Sequence, residues 1–304
     1  MELLKSAYRA LELAVGWIFS SSWLPPTDFQ LLRWLIIPGF GYGFILIAIG
    51  IAELVIPAER RPWTRRSWLS VTYLVFAGKI GFYSLLVAPA MRKGWLYLGL
   101  PSLHLDQRLP LLAYIGVALL VLTFTNYWSH RLMHTVPLFW NIHKIHHSVE
   151  NLNYTSVYHF HFLEALLYTP LHLTFVLLLG TNVVAPFGIV FRFLDVFNHS
   201  NVRVNSRWLT YLVATPEAHR VHHSSNPIHY DKNFCNTFMW WDHLFGTFYW
   251  DPKHPATEFG IHDPVPTSFV KQQLLPLAWI GRDVTAAFRR PAVESDSKPD
   301  LSTD

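Results

Sequence analysis

Residues 130–147 read HRLMHTVPLFWNIHKIHH, and this stretch decides the fold. His130 and His134 stand four apart, a proline-containing turn follows, and His143, His146 and His147 come next. Residues three and four apart share a face of an α-helix, so each group can aim its imidazoles at one point. His219, His222 and His223 repeat the second spacing further along the chain. Eight histidines in three such groups imply a polynuclear metal site carried on helices. A single histidine in apolar surroundings is ordinarily a hydrogen-bonded core residue, but that explanation does not account for three groups at these spacings.

The chain around this stretch has 304 residues, 51% of them hydrophobic and only 14% charged, and its mean hydropathy is +0.23. Soluble domains carry about 25% charged residues, so the deficit points to a membrane. A net charge of +4 is too small to suggest nucleic-acid binding. Cys235 is the only cysteine, which rules out an intrachain disulfide and a thiolate metal site and leaves imidazole and carboxylate as ligands. Thirteen Trp and thirteen Tyr suit side chains anchored at lipid headgroups. No cleavable signal peptide is expected. Residues 6–23, within an N-terminal segment 1–30, read either as an interfacial helix or as an ordinary helix against the bundle.

Residues 31–128 should hold the transmembrane helices. Residues 34–52 carry no charge and are long enough to cross a bilayer at about 1.5 Å per residue. Arg60, Arg61, Arg65 and Arg66 follow and mark that loop as cytoplasmic. A second span is expected over 68–90. Lys79 near its middle is either functional, since charge in a membrane is costly, or a side chain that snorkels or faces the protein interior. The loop 91–108, with His104, then lies on the opposite side, and a third span over 109–128 returns to the cytoplasm and runs into His130.

The run 165–191 holds 27 uncharged residues, too long for one ordinary span, and Gly180-Thr-Asn182 in its middle signals a turn. The histidine groups on either side of this run must meet, so it is expected to form a hairpin, 163–197, that returns the chain to its starting face. His172 in the first arm reads as a hydrogen-bonded interior residue. The histidine-bearing region is expected to extend over 129–262, followed by a membrane-surface amphipathic helix at 263–290 and a disordered tail at 291–304. The expected fold is an all-α membrane protein: three transmembrane helices plus a helical hairpin, with a cytoplasmic histidine-rich helical cap. No sequence feature fixes its oligomeric state.

Imidazole suits iron, zinc and copper, and eight clustered histidines fit two metals better than one. Ligand type alone leaves iron and zinc open. The pattern HxxxH, HxxHH, HxxHH resembles that of the fatty acid hydroxylase/sterol desaturase superfamily of integral membrane diiron oxygenases. The likeness extends to Asn198-His-Ser-Asn201, Pro216-Glu217, Asp231-Lys-Asn233 and Trp241-Asp-His-Leu-Phe-Gly-Thr247, over roughly residues 110–252. The resemblance implies a further ligand at His199. The metal and catalytic residues are then His130, His134, His143, His146, His147, His199, His219, His222 and His223.

Some fatty acid 2-hydroxylases have a histidine where this chain has Asp195, which either binds metal itself or orients His199. His161 and Glu164 fill two places of a His-Pro-x-Glu motif in which Phe162 replaces the proline, and they are expected to support the ligands or contact substrate, with His159 a weaker candidate. Asn201 and Glu217 are candidates for the same supporting role. Asp242 is expected to hold a ligand histidine in its metal-binding tautomer. His229, His243, His254 and His262 read as surface or packing residues.

The expected activity is O₂-dependent hydroxylation of a C–H bond in a membrane lipid, whether sterol, fatty acyl or polar-headgroup lipid. It would use two Fe ions, with Zn able to substitute. No dinucleotide fingerprint or cysteine cluster is present, so electrons must come from an external donor, either a ferredoxin or a cytochrome b5-type system. Arg220, Lys144 and Lys232 are candidates for its docking surface, or are simply solvated charges. The alternatives are lipid or sterol desaturation at the same site, a zinc-dependent membrane hydrolase, and a structural protein with stabilising metals. The expected location is a bacterial cytoplasmic membrane, or the endoplasmic reticulum in a eukaryote, with the site facing the cytoplasm.

Overall fold

The computed structural model describes residues 43–60, 62–64, 67–74, 90–180, 184–204 and 206–289. The chain divides into two compact units. Of the first, residues 1–48, only 43–48 are described, and they are helical. The second unit, residues 49–304, holds the remaining described residues. The expected N-terminal interfacial helix, Lys79 and the disordered tail lie outside the described residues.

The regular secondary structure among the described residues is helical, apart from isolated β-bridges such as Val213 with Phe238. Helix α1 covers Gly43–Val55, α2 residues 67–74, α3 residues 90–97 and α4 Leu105–Arg108. They are followed by α5 (Leu111–Thr135), α6 (Pro137–His147), α7 (Phe162–Leu179) and α8 (Val184–His199). The chain continues through α9 (Arg207–Leu212), α10 (Pro216–His222), α11 (Trp240–Leu244) and α12 (Phe269–Arg289).

Two of the described helices, α5 and α7, are long and apolar enough to cross a membrane. α5 extends seven residues past the expected end of the third span, so His130 and His134 sit on the same continuous helix as the span. It stops because Pro137 opens α6 and forces Val136 into an extended conformation (φ −96°, ψ 116°). The buried residues of α5 recur at helical spacing through Tyr114, Ala118 and Leu122, then Ser129, His130 and Met133. α7 is apolar nearly all round, with Leu179 alone buried among its residues, as suits a helix facing lipid.

Gly180 ends α7 at φ +113°, a conformation that favours glycine. Its carbonyl accepts the Tyr114 hydroxyl at 2.6 Å, and Leu178 O accepts Leu103 N at 2.7 Å. The end of α7 is thus tied to the start of α5 and to the loop that holds His104. Sixteen residues of helix, about 24 Å, separate Tyr114 from His130. His104 therefore lies at the end of α5 away from the histidine groups.

At the histidine end, Tyr127, Ala214, Ala218, Phe234, Cys235 and Met239 form a buried cluster that joins α5, α10 and α11. Fully burying such apolar side chains contributes about 1.5–3 kcal/mol each. Residues 53–59 are stapled to 201–203: Glu53 Oε1 accepts Asn201 N at 2.7 Å, and Arg203 N donates to Ile56 O at 2.9 Å.

Candidate metal centre

The nine candidate ligands form two groups whose ligand atoms lie within 4.8 Å of one another in each: His130, His134, His143, His147 and His222, and His146, His199, His219 and His223. The groups abut, with the His147 and His223 rings stacked at 4.3 Å. The expectation that each sequence group serves one point is corrected here. The pairs four apart stay together (130/134, 143/147, 219/223), whereas His146 and His222, three residues into their motifs, cross to the other group. Four residues turn a helix through about 400° and three through about 300°, so an HxxHH motif presents two directions and can serve two sites.

Backbone carbonyls orient four of the rings. His130 Nδ1 meets Phe234 O at 2.7 Å, His146 Nδ1 meets His159 O at 3.1 Å, His199 Nδ1 meets Asp195 O at 2.7 Å and His222 Nδ1 meets Lys232 O at 2.9 Å. A carbonyl only accepts, so each Nδ1 carries the proton and each Nε2 presents a lone pair. His146 Nε2 and His199 Nε2 then face each other at 3.0 Å with no proton between them. His219 Nε2 lies 2.9 Å from His199 Nε2 and 3.1 Å from His223 Nε2, and His130 Nε2 lies 3.2 Å from His143 Nε2.

Two imidazole nitrogens bound to one ion at 2.0–2.1 Å stand roughly 2.8–3.3 Å apart. The observed separations match this range. His134 Nε2, His147 Nε2 and His222 Nε2 are buried without a hydrogen-bond partner, as a site that awaits a cation requires. Protonation is not a substitute, because burial opposes the charged form. Desolvation, then the neighbouring imidazoles, push His146, His147, His219 and His223 well down, and burial pushes His222 down to about 3. The residues present therefore fit two metal ions held by nitrogen.

Other expected site residues are placed as follows. Glu164 Oε2 lies 3.1 Å from His143 Nδ1, within ion-pair distance but without hydrogen-bond geometry, and both atoms are buried. Asp195 orients His199 through its carbonyl, while its carboxylate faces Arg192 at 3.7 Å and touches no candidate ligand. Asp242 contacts no histidine: its carboxylate accepts Phe234 N, Cys235 N and the Thr247 hydroxyl at 2.9, 2.8 and 2.6 Å. It thus acts on His130 at one remove, by holding the peptide whose carbonyl His130 meets.

His161 caps α7, accepting Leu163 N at 3.2 Å, and its Nε2 donates to Gln273 O at 2.7 Å. Asn201 bonds the backbone of Glu59, and Glu217 accepts Val204 N, so both act as staples. His229 is buried between the Ser224 hydroxyl and His254 O, a packing role. His172 Nδ1 meets Tyr168 O at 2.9 Å within α7, as expected.

The docking role considered for Lys144 and Arg220 is overturned by their burial. Lys144 Nζ pairs with Asp263 at 3.1 Å and sits 3.7 Å from the Trp279 ring centre, and Arg220 pairs with Glu59. Sequence reasoning missed the carbonyls of Phe234, Lys232 and His159, because a backbone group carries no residue signal. One indirect signal existed: Asp231 and Asn233 both take left-handed conformations (φ 58° and 54°), which asparagine and aspartate tolerate best, and they turn Lys232 O toward His222.

Comparison with known proteins covers the same region of the chain. The fatty acid hydroxylase family model matches residues 115–247, a segment that contains all nine candidate ligands. The chain is 31% identical to ornithine lipid hydroxylase of Rhizobium tropici, over 57% of this chain and 53% of that protein. It is 32% identical to alkylglycerol monooxygenase of Homo sapiens, over 51% of this chain and 33% of that protein. Identity to methylsterol monooxygenase 1 of Rattus norvegicus is 29%, over 40% of this chain and 42% of that protein. The chain therefore spans about half the length of the first relative and about a third of the second. No solved structure gives a significant match.

Proposed function

We propose that this chain, whose residues 115–247 belong to the fatty acid hydroxylase family, hydroxylates a C–H bond of a membrane lipid with O₂ at a two-iron centre. The observation that carries this reading is the pair of nitrogen-only groups with unprotonated nitrogens about 3 Å apart. When bound, the two irons would supply the reduction of O₂ and the oxidation of the C–H bond. The overall balance is one lipid C–H, one O₂, two electrons and two protons to one alcohol and one water.

The protein's own part is positional. Four backbone carbonyls hold the imidazoles in the metal-binding tautomer before any metal arrives. Burial of the rings excludes bulk water and keeps them neutral. Glu164, with its carboxylate 3.1 Å from His143 Nδ1, would favour by its charge the positive charge that a bound metal places on that ring.

In this reading the chain crosses the membrane at 34–52, at 68–90 and along α5, while the hairpin α7–α8 dips in and returns. The arginine-rich loop 60–66 and the histidine centre then face the cytoplasm, in a bacterial cytoplasmic membrane or, in a eukaryote, the endoplasmic reticulum. A ferredoxin or cytochrome b5-type donor would supply the electrons. The substrate would be a sterol, an acyl lipid or a polar-headgroup lipid. The relatives' names, hydroxylase and monooxygenase, favour hydroxylation over desaturation.

The test is mass spectrometry of lipids from cells expressing the wild type or His199→Ala. A lipid 16 mass units heavier, present only with the wild type, is expected. Identical lipid profiles would count against the proposal.

A further inference from the structure

α12 lies outside the segment that matches the family, yet its residue Gln272 is linked to the histidine centre through His159. Gln272, only 3% exposed, accepts two hydrogen bonds at Oε1, from the Tyr73 hydroxyl at 2.7 Å and from His159 Nε2 at 2.9 Å. Its amide nitrogen donates to Pro266 O at 2.8 Å, so the amide is fixed at both ends. An amide oxygen only accepts, so His159 carries its proton on Nε2, and Nδ1 takes the Ser70 hydroxyl proton at 3.1 Å. The ring also stacks on Tyr73, with centroids 4.2 Å apart.

Both nitrogens of His159 are thereby engaged, which is why it is not among the candidate ligands. Its backbone matters instead. His159 O receives His146 Nδ1, yet His159 itself (φ −78°, ψ 76°) lies between the short turn Ser156–Tyr158 and α7. No helical ladder holds that carbonyl in place, so the side-chain anchors must. The neighbouring Gln273 grips the other end of the segment: its carbonyl accepts His161 Nε2 at 2.7 Å and its Oε1 accepts Phe162 N at 3.1 Å.

We propose that Gln272 is a positioning residue for the metal centre: by fixing His159 it fixes the carbonyl that sets the tautomer and direction of His146. Its influence falls first on the His146, His199, His219 and His223 group, because His146 is the ligand whose Nδ1 meets His159 O. The inference rests on the two-metal reading of the centre. A residue that served only to hold α12 in place would lower stability without singling out one metal.

The test is titration of metal-free protein with cobalt(II), followed by visible absorption, with helical content checked by circular dichroism. Wild type should take up two equivalents. In Gln272→Leu one of the two should bind about 10–100-fold more weakly and the other as before, as is typical when the partner of a ligating histidine is lost. Gln272→Glu keeps the acceptor oxygen and should restore the lost affinity. Unchanged affinity for both equivalents in Gln272→Leu would overturn the inference, as would equal weakening of both without rescue by Gln272→Glu. Failure of the wild type itself to take up cobalt would overturn the two-metal reading, and this inference with it.

Discussion

His146 Nε2 lies 3.0 Å from His199 Nε2, although 53 residues separate them in sequence. Each ring has its Nδ1 proton committed to a carbonyl, His146 to His159 O and His199 to Asp195 O. Two lone pairs held at that distance repel unless a cation lies between them. His146 is the penultimate residue of α6 and His199 the last of α8, so the apolar run between them starts and finishes at the histidine centre.

His199→Ala removes one of the four nitrogens of its group. Metal content, measured by mass spectrometry of the purified protein, should fall from two ions to about one per chain, and the lipid product should disappear. Because the change trims a side chain at the last residue of α8, helical content should persist. Two retained ions with full activity would contradict the assignment of His199.

Acid should destabilise the metal-free protein within a defined window. The His222 pKa is pushed down to about 3, and those of His146, His147, His219 and His223 are driven down by burial. In the unfolded chain these imidazoles titrate near about 6.5. Below that pH the unfolded state binds more protons, so the stability present above about 6.5 is lost as pH falls toward 3. Metal binding, which also needs neutral imidazole, should weaken over the same range. The melting temperature of metal-free protein should drop between pH 7.5 and 5; a constant value would refute the argument.

Asp242→Ala should cost stability although Asp242 touches no candidate ligand. It strands the buried N–H groups of Phe234 and Cys235 and leaves the Thr247 hydroxyl with the Tyr127 hydroxyl alone. Each unsatisfied buried group costs about 1–3 kcal/mol, so a loss of roughly 3 kcal/mol or more is expected in denaturant titrations. Metal affinity should also fall, because Phe234 O orients His130.

Glu164→Gln tests the carboxylate beside His143. It removes a charge but little volume, so the fold should hold while metal affinity, measured by competition with a chelator, falls about tenfold. Affinity equal to that of the wild type would show that Glu164 does not support the ligand.

Much of this arrangement could be read from the sequence, because side-chain identity and helical spacing carried it. His130/His134 and the two HxxHH motifs marked the metal chemistry, and Gly180 marked the end of α7. The crossing of His146 and His222 between groups was not legible, because it depends on how α6 and α10 face each other. Lys144 and Arg220 read as surface charge because their partners, Asp263 and Glu59, stand 119 and 161 residues away. The carboxylate of Asp242 was expected on an imidazole but is occupied by peptide N–H groups, whose positions no motif encodes.

The most direct test of the central claim is turnover under ¹⁸O₂ by iron-loaded protein in membranes, with reductant and a compatible electron donor. The predicted result is a lipid alcohol carrying one ¹⁸O atom, formed only with iron and only in the presence of O₂. Product that still forms under nitrogen, or an alcohol that takes its oxygen from water, would contradict the assignment as an oxygenase.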